Sequence, residues 1–138
     1  MEITKIKRCA RAVIYNDKGE IFLMSSQKWK GWIVPGGEIK ENEKDEEALR
    51  REIKEELGIE LENIVKVGEK IKPPSRDFKD EETKFVFIDF FAKSINNDIT
   101  PNEEILDCGW FTIDEALKLS LIDTTRRFIE QFRDFNKD

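Results

Sequence analysis

Apolar and polar positions along this chain keep two rhythms, and each predicts a different element. Residues 3–15 and 20–26 read as extended strands, with Asn16-Asp17-Lys18-Gly19 between them as turn chemistry, so the pair is a hairpin. Trp32-Ile33-Val34-Pro35 reads as a further strand ending in a tight loop at Gly36-Gly37, where glycine lets the backbone approach a ligand closely. The rhythm then changes. Ala48, Leu49, Ile53 and Leu57 fall on one helical stripe, and Gly58 follows as a C-terminal stop. Leu61 to Glu69 returns to strand, Thr83 to Ala92 is a largely apolar buried strand, and Asp107 to Phe111 is a short one. Thr112-Ile113-Asp114-Glu115 is a capping box opening a helix to Leu119. Leu121, Ile122, Phe128, Ile129, Phe132 and Phe135 mark an amphipathic C-terminal helix. Strands alternating with helices predict an α/β fold, a mixed sheet with helices on its faces.

The polar side of the helix around 48–57 holds the candidate chemistry. Glu52, Glu55 and Glu56 stand at i, i+3 and i+4, so their carboxylates project from one face. Like charges at these spacings destabilise a bare helix by roughly a few tenths of a kcal/mol per pair, and a divalent cation relieves them. Carboxylate oxygens are hard ligands of the kind that hold Mg²⁺ together with water and phosphate oxygens. A charged face solvated by water is the plainer reading of a Glu- and Lys-rich helix. The order of residues around it weakens that reading. Gly37, five residues, Glu43, seven residues, then Arg51-Glu52-Ile53-x-Glu55-Glu56-x-Gly58-Ile59 arises by chance with a probability on the order of 10⁻⁶ for average usage and this chain's glutamate content.

This run over residues 37–59 resembles the Nudix box, G-x5-E-x7-R-E-U-x-E-E-x-G-U with U aliphatic, at every specified position. The likeness extends to Trp32-Ile33-Val34-Pro35-Gly36-Gly37 before it and to Asp107-Cys108-Gly109-Trp110-Phe111 after it, so it spans most of the chain. The resemblance implies an α/β/α sandwich and Mg²⁺- or Mn²⁺-dependent hydrolysis of a nucleoside diphosphate linked to another group. It implies a metal set of Glu52, Glu55, Glu56, the carbonyl of Gly36, and a distal acid from the loop Thr100-Pro101-Asn102-Glu103-Glu104, with Glu104 first and Glu103 second. The catalytic group is then Glu52, Glu104 and Arg51, the last as an ion pair that orients a carboxylate. Glu52 or the distal glutamate takes the proton as water attacks a phosphorus of the pyrophosphate bridge. Glu43 supports the loop.

Composition agrees with one domain over residues 1–138. The chain is long enough for a single core, has no repeat, and keeps ten Phe and three Trp with charged residues at 39%. Cys9 and Cys108 make no disulfide framework, and no signal peptide or membrane-spanning run is evident, so the expected compartment is cytoplasmic. A net charge of −6 argues against broad nucleic-acid binding and leaves a small nucleotide arriving with metal as the expected partner. The absence of histidine removes His zinc sites, imidazole bases and Ser-His or Cys-His pairs, and it disfavours isopentenyl diphosphate isomerase chemistry on a related fold. A homodimer is compatible with the resemblance.

Substrate candidates are thinner. Arg11, inside the apolar run Ala10 to Tyr15, either binds a substrate phosphate or pairs with an acidic neighbour. Asp89 shares its strand face with Phe87 and Phe91, as a cleft residue or the edge of the buried segment. Trp32, Trp29, Phe78 and Tyr15 are available to stack on a base or to fill the core, and Arg76 or Lys79 in KPPSRDFKDEE to reach a phosphate. Pro74 is placed as in ADP-ribose pyrophosphatases of the Nudix family, which favours ADP-ribose or a related nucleotide sugar, and no tyrosine follows the box to favour diadenosine polyphosphates. A house-cleaning nucleotide triphosphate pyrophosphohydrolase and a non-catalytic nucleotide sensor are the alternatives.

Overall fold

A computed structural model describes residues 5–26, 31–72, 83–96, 98–103 and 105–136. β1 (Lys5–Tyr15) and β2 (Ile21–Ser26) form the expected hairpin. Its turn is built by Asn16, whose side-chain carbonyl accepts from the amides of Lys18 and Glu20, both at 3.0 Å. β3 (Gly36–Glu38), α1 (Asp45–Leu57), β4 (Leu61–Lys72), β5 (Thr83–Ser94), β6 (Ile105–Phe111), α2 (Ile113–Ala116) and α3 (Asp123–Phe135) follow.

The strands make one sheet in the order β4-β5-β1-β2-β6, with β3 also on β1. β1 and β5 are parallel in unbroken register from Lys5 opposite Thr83 to Tyr15 opposite Lys93, and the other pairs are antiparallel, so the sheet is mixed. Alternation along β1 divides the core in two. Ala10, Ala12 and Ile14 face Leu49, Ile53 and Leu57 of α1, whereas Val13 and Tyr15 face Phe128, Ile129 and Phe132 of α3. Helix, sheet and helix are the three layers. Phe128 is fully buried, and a phenyl group removed from water contributes about 1.5–3 kcal/mol. Among the described residues no helix is long and apolar enough to cross a membrane.

Three expectations are corrected in detail. The segment expected as a strand followed by a glycine loop is the reverse: Trp32 and Ile33 make isolated bridges, and the glycines themselves form β3. The reason is a fork between β1 and β2. Ile33 pairs with Met24 of β2 through bonds of 3.0 and 2.8 Å, and the chain then crosses to β1, where Pro35 accepts from Ala12 at 3.1 Å. Gly36 permits the crossing, since a Cβ there would overlap the Ala10 carbonyl and the Arg11 backbone. The Thr112 capping box is present, with bonds of 3.1 and 2.9 Å to Glu115, but its helix ends at Ala116 because the chain turns through residues 117–119. That turn brings Leu121 beside Trp32, so Leu121 and Ile122 precede α3 rather than belong to it.

Candidate active site

Arg51 organises the acidic end of the box. Its side chain leaves α1 toward the 38–43 loop, where Nε and Nη2 donate to the two carboxylate oxygens of Glu43 at 2.6 and 2.9 Å. Nη2 also donates to the Glu38 carbonyl at 3.1 Å, and Nη1 to Glu52 Oε1 at 2.8 Å and Glu55 Oε2 at 3.4 Å. A planar fork is the only side chain that reaches so many acceptors at once. Glu43 closes the loop from its other end, accepting from the Lys40 amide at 2.9 Å, with Asn42 between them in the left-handed region at φ 67°. The Arg51 hydrogen bond, then the Lys40 amide, hold the Glu43 carboxyl down to about 2. The same pairing, with Glu43 first, raises Arg51 further above its ordinary value.

Glu52 lies beneath Gly37. Its side chain is 17% exposed, and a Cβ on Gly37 would overlap its carboxyl group at Cδ and Oε2. Arg51 thus takes one oxygen while the other points to the glycine strand. The β1–β3 ladder orients the carbonyls there: Ala12–Pro35 and Arg8–Ile39 are hydrogen-bonded pairs, so alternation turns the peptide groups of Gly36 and Glu38 away from β1. The Glu38 carbonyl on that outer edge meets Arg51. The Gly36 carbonyl faces the same edge.

The far end of α1 is closed by the connection from β5 to β6. Gly58 ends the helix at φ 69°, and the carbonyls left over there are taken by later residues: Asn102 donates its amide to Glu56 at 2.9 Å and Thr100 to Leu57 at 2.8 Å. Glu103 follows directly in the turn that Ile105 closes on Asn102 at 3.3 Å. Glu103 is therefore next in sequence to the residue bonded at Glu56.

The donor chemistry fits a hard divalent cation. Carboxylate oxygens of Glu52, Glu55 and Glu56 and the Gly36 carbonyl are the ligand types that Mg²⁺ and Mn²⁺ take, and the absence of a side chain on Gly37 lets the Glu52 carboxyl lie directly against the glycine strand. Among the described residues, no three acids converge closely enough to enclose an ion as they stand. Glu55, 60% exposed, leans to Arg51, and water and phosphate oxygens are the partners that complete such a sphere.

Other expected residues are placed elsewhere. Arg11, read as a phosphate ligand or an ion-pair partner, is 6% exposed and paired: Nε and Nη2 donate to Asp89 at 2.6 and 3.2 Å, between the rings of Phe87 and Phe128 at 4.3 and 4.6 Å. Of the two readings the ion pair is the one present: the guanidinium serves a buried carboxylate on the α3 side of the sheet. Lys70, which sequence reasoning missed, joins them at 3.2 Å from Asp89 and 2.9 Å from Gln131. Trp32, placed with the substrate residues, is partly buried and packs edge-on against Phe111 at 5.6 Å beside the α3-side core. Tyr15 stacks on Phe132. Glu104, Arg76, Lys79, Pro74, Trp29 and Phe78 lie outside the described residues.

A family model described as NUDIX domain matches residues 5–132. A nucleoside triphosphatase NudI of Enterobacter sp. (strain 638) is 36% identical over 100 residues, 69% of this chain and 71% of that protein. The MutT NUDIX hydrolase from Burkholderia pseudomallei superposes with a TM-score of 0.79 at 27% identity, over 92% of this chain and 98% of the other. The NUDIX domain of Shewanella oneidensis NrtR, solved with ADP ribose, superposes with a TM-score of 0.79 over 97% of this chain and 90% of that one; its 17% identity carries the fold alone.

Proposed function

The chain belongs to the NUDIX family of hydrolases, enzymes that act on phosphorus anhydrides of small nucleotides with a divalent metal, and on that premise we propose that it is a nucleoside triphosphate pyrophosphohydrolase. One observation carries the substrate class: relatives 36%, 33% and 32% identical that align with more than two thirds of this chain are named nucleoside triphosphatases. Sequence reasoning favoured ADP-ribose on the position of Pro74. That residue lies outside the described part, and the ADP ribose-bound neighbour supports no more than the fold, so the nucleotide sugar becomes the second reading.

In this reading a triphosphate and water give a nucleoside monophosphate, pyrophosphate and a proton. Water attacks one phosphorus of the α–β anhydride and the bond from that phosphorus to the bridging oxygen breaks, the electron pair leaving on pyrophosphate for attack at the α-phosphorus or on the nucleoside monophosphate for attack at the β-phosphorus. Mg²⁺, held by Glu52, Glu55, Glu56, the Gly36 carbonyl and a distal acid at Glu103 or Glu104, supplies charge neutralisation and acidifies water when bound. Arg51 orients Glu52 by holding Oε1, which leaves Oε2 on the side of Gly37. Glu52 or the distal glutamate receives the proton.

The experiment is Mg²⁺-dependent product release from normal and oxidised nucleoside triphosphates, ADP-ribose, other diphosphate sugars and diadenosine polyphosphates, with Glu56→Gln beside the wild type. Pyrophosphate from a triphosphate, lost in the variant, supports the proposal. AMP and ribose phosphate from ADP-ribose alone would transfer it to the second reading, and turnover undiminished in Glu56→Gln would defeat the site assignment.

A further inference from the structure

We propose that Asn96 is a positioning residue for the metal-dependent step, an inference that rests on the reading just given. The connection after β5 runs antiparallel to residues 56–60 and is tied to them at successive points. Ile95 donates its amide to the Glu60 carbonyl at 2.9 Å, and Glu60 donates back to Asn96 Oδ1 at 3.1 Å. Asn96 Nδ2 reaches the Gly58 carbonyl at 3.4 Å and the Asp98 carbonyl at 3.0 Å, while its own carbonyl accepts from the Ser94 hydroxyl. From there the chain proceeds to the Thr100 and Asn102 amides on Leu57 and Glu56, and to Glu103 in the next position.

The Asn96 side chain is hydrogen-bonded both to the residues that end α1 and to the connection that carries the distal acid. An amide group is required for this, because one atom must accept from Glu60 while the other donates to two carbonyls. Carbonyls at a helix C-terminus need donors, and here the donors arrive from about forty residues later in the chain rather than from water. The metal-ligand candidate Glu56 and the distal acid are thereby parts of one bonded unit whose separation Asn96 sets. Groups hydrogen-bonded directly to metal ligands change metal affinity by about 10- to 100-fold when removed, and Asn96 acts one step further out through the backbone, so the lower end of that range applies.

The test compares full-length wild type, Asn96→Ala, Asn96→Asp and, as a core-weakened control, Ile129→Val. Hydrogen exchange is followed at the Thr100 and Asn102 amides, Mn²⁺ binding is measured by electron paramagnetic resonance without substrate, and the Mg²⁺ half-saturation is measured in turnover. Asn96→Ala is expected to speed exchange at both amides, to weaken Mn²⁺ binding and raise the Mg²⁺ half-saturation about 10-fold, and to leave kcat at saturating Mg²⁺ within about threefold. Asn96→Asp keeps the acceptor and loses the donor, so it falls between. Ile129→Val changes neither the two amides nor the metal dependence. Faster exchange with unchanged Mn²⁺ binding would overturn the positioning role while leaving the proposed function intact. A wild type that binds no Mn²⁺ and hydrolyses no substrate would overturn the functional reading itself, and with it the purpose assigned to Asn96.

Discussion

A single hydrogen atom at Gly37 decides how closely β3 lies on Glu52. Gly37→Ala forces the carboxyl group aside, and displacement of a reacting group by about 1 Å lowers turnover on the order of 100-fold. Steady-state kinetics and a melting curve check this, the expected pattern being lost kcat/KM in a folded protein. Arg51→Lys keeps the charge but not the fork, so it is expected to fall about 10-fold or more in kcat/KM and not to rescue Arg51→Ala. Glu43 adds a pH signature. Its folded value is depressed from 4.5 to about 2, chiefly by Arg51, so its contribution to stability is present above 4.5 and lost as pH falls toward 2. Urea midpoints between pH 5 and 2 are expected to fall less steeply in Glu43→Gln than in the wild type. At this scale the box spacing made Arg51, Glu43 and the three helix glutamates legible. Asn96 was not, since an asparagine between a strand and Thr100-Pro101 reads only as loop, and its partners at 58–60 are distant in sequence.

Elements were legible where one periodicity ran uninterrupted, as in β1, α1, β5 and α3. β3 was not, because three residues containing two glycines carry no alternation, and what makes them a strand is the gap left by two diverging neighbours. The Arg11–Asp89 pair was half legible: an arginine in an apolar strand demands a partner, but the parallel register that supplies Asp89 is a tertiary fact. Asp89 is wholly buried, and removing it leaves the guanidinium uncompensated between two phenyl rings. Asp89→Ala is expected to lower stability by about 3–5 kcal/mol, while Arg11→Met with Asp89→Leu recovers most of that loss, both read from denaturant midpoints.

For the whole molecule, the proposed metal set at one end of α1, in a chain of net charge −6, would tie stability to metal. A cation that binds the folded state at a hundredfold excess over its Kd stabilises by about 2.7 kcal/mol, so Mg²⁺ is expected to raise the Tm, a chelator to reverse it, and Glu52→Gln with Glu56→Gln to abolish the increment. The three-layer architecture was legible because alternating elements admit few arrangements, whereas the strand order was not, since it depends on contacts far apart in sequence. That distance has a consequence during synthesis. Arg11 and Asp89 are 78 residues apart, so β1 leaves the ribosome long before β5 exists to pair with it. Through that interval the β5-facing edge of β1 is an aggregation hazard, and Arg11, together with Lys5, Lys7 and Arg8 in the same strand, acts as a gatekeeper that discourages pairing with other nascent chains. The residue that later joins the buried ion pair is, until its partner is translated, one of the charges that guard this edge.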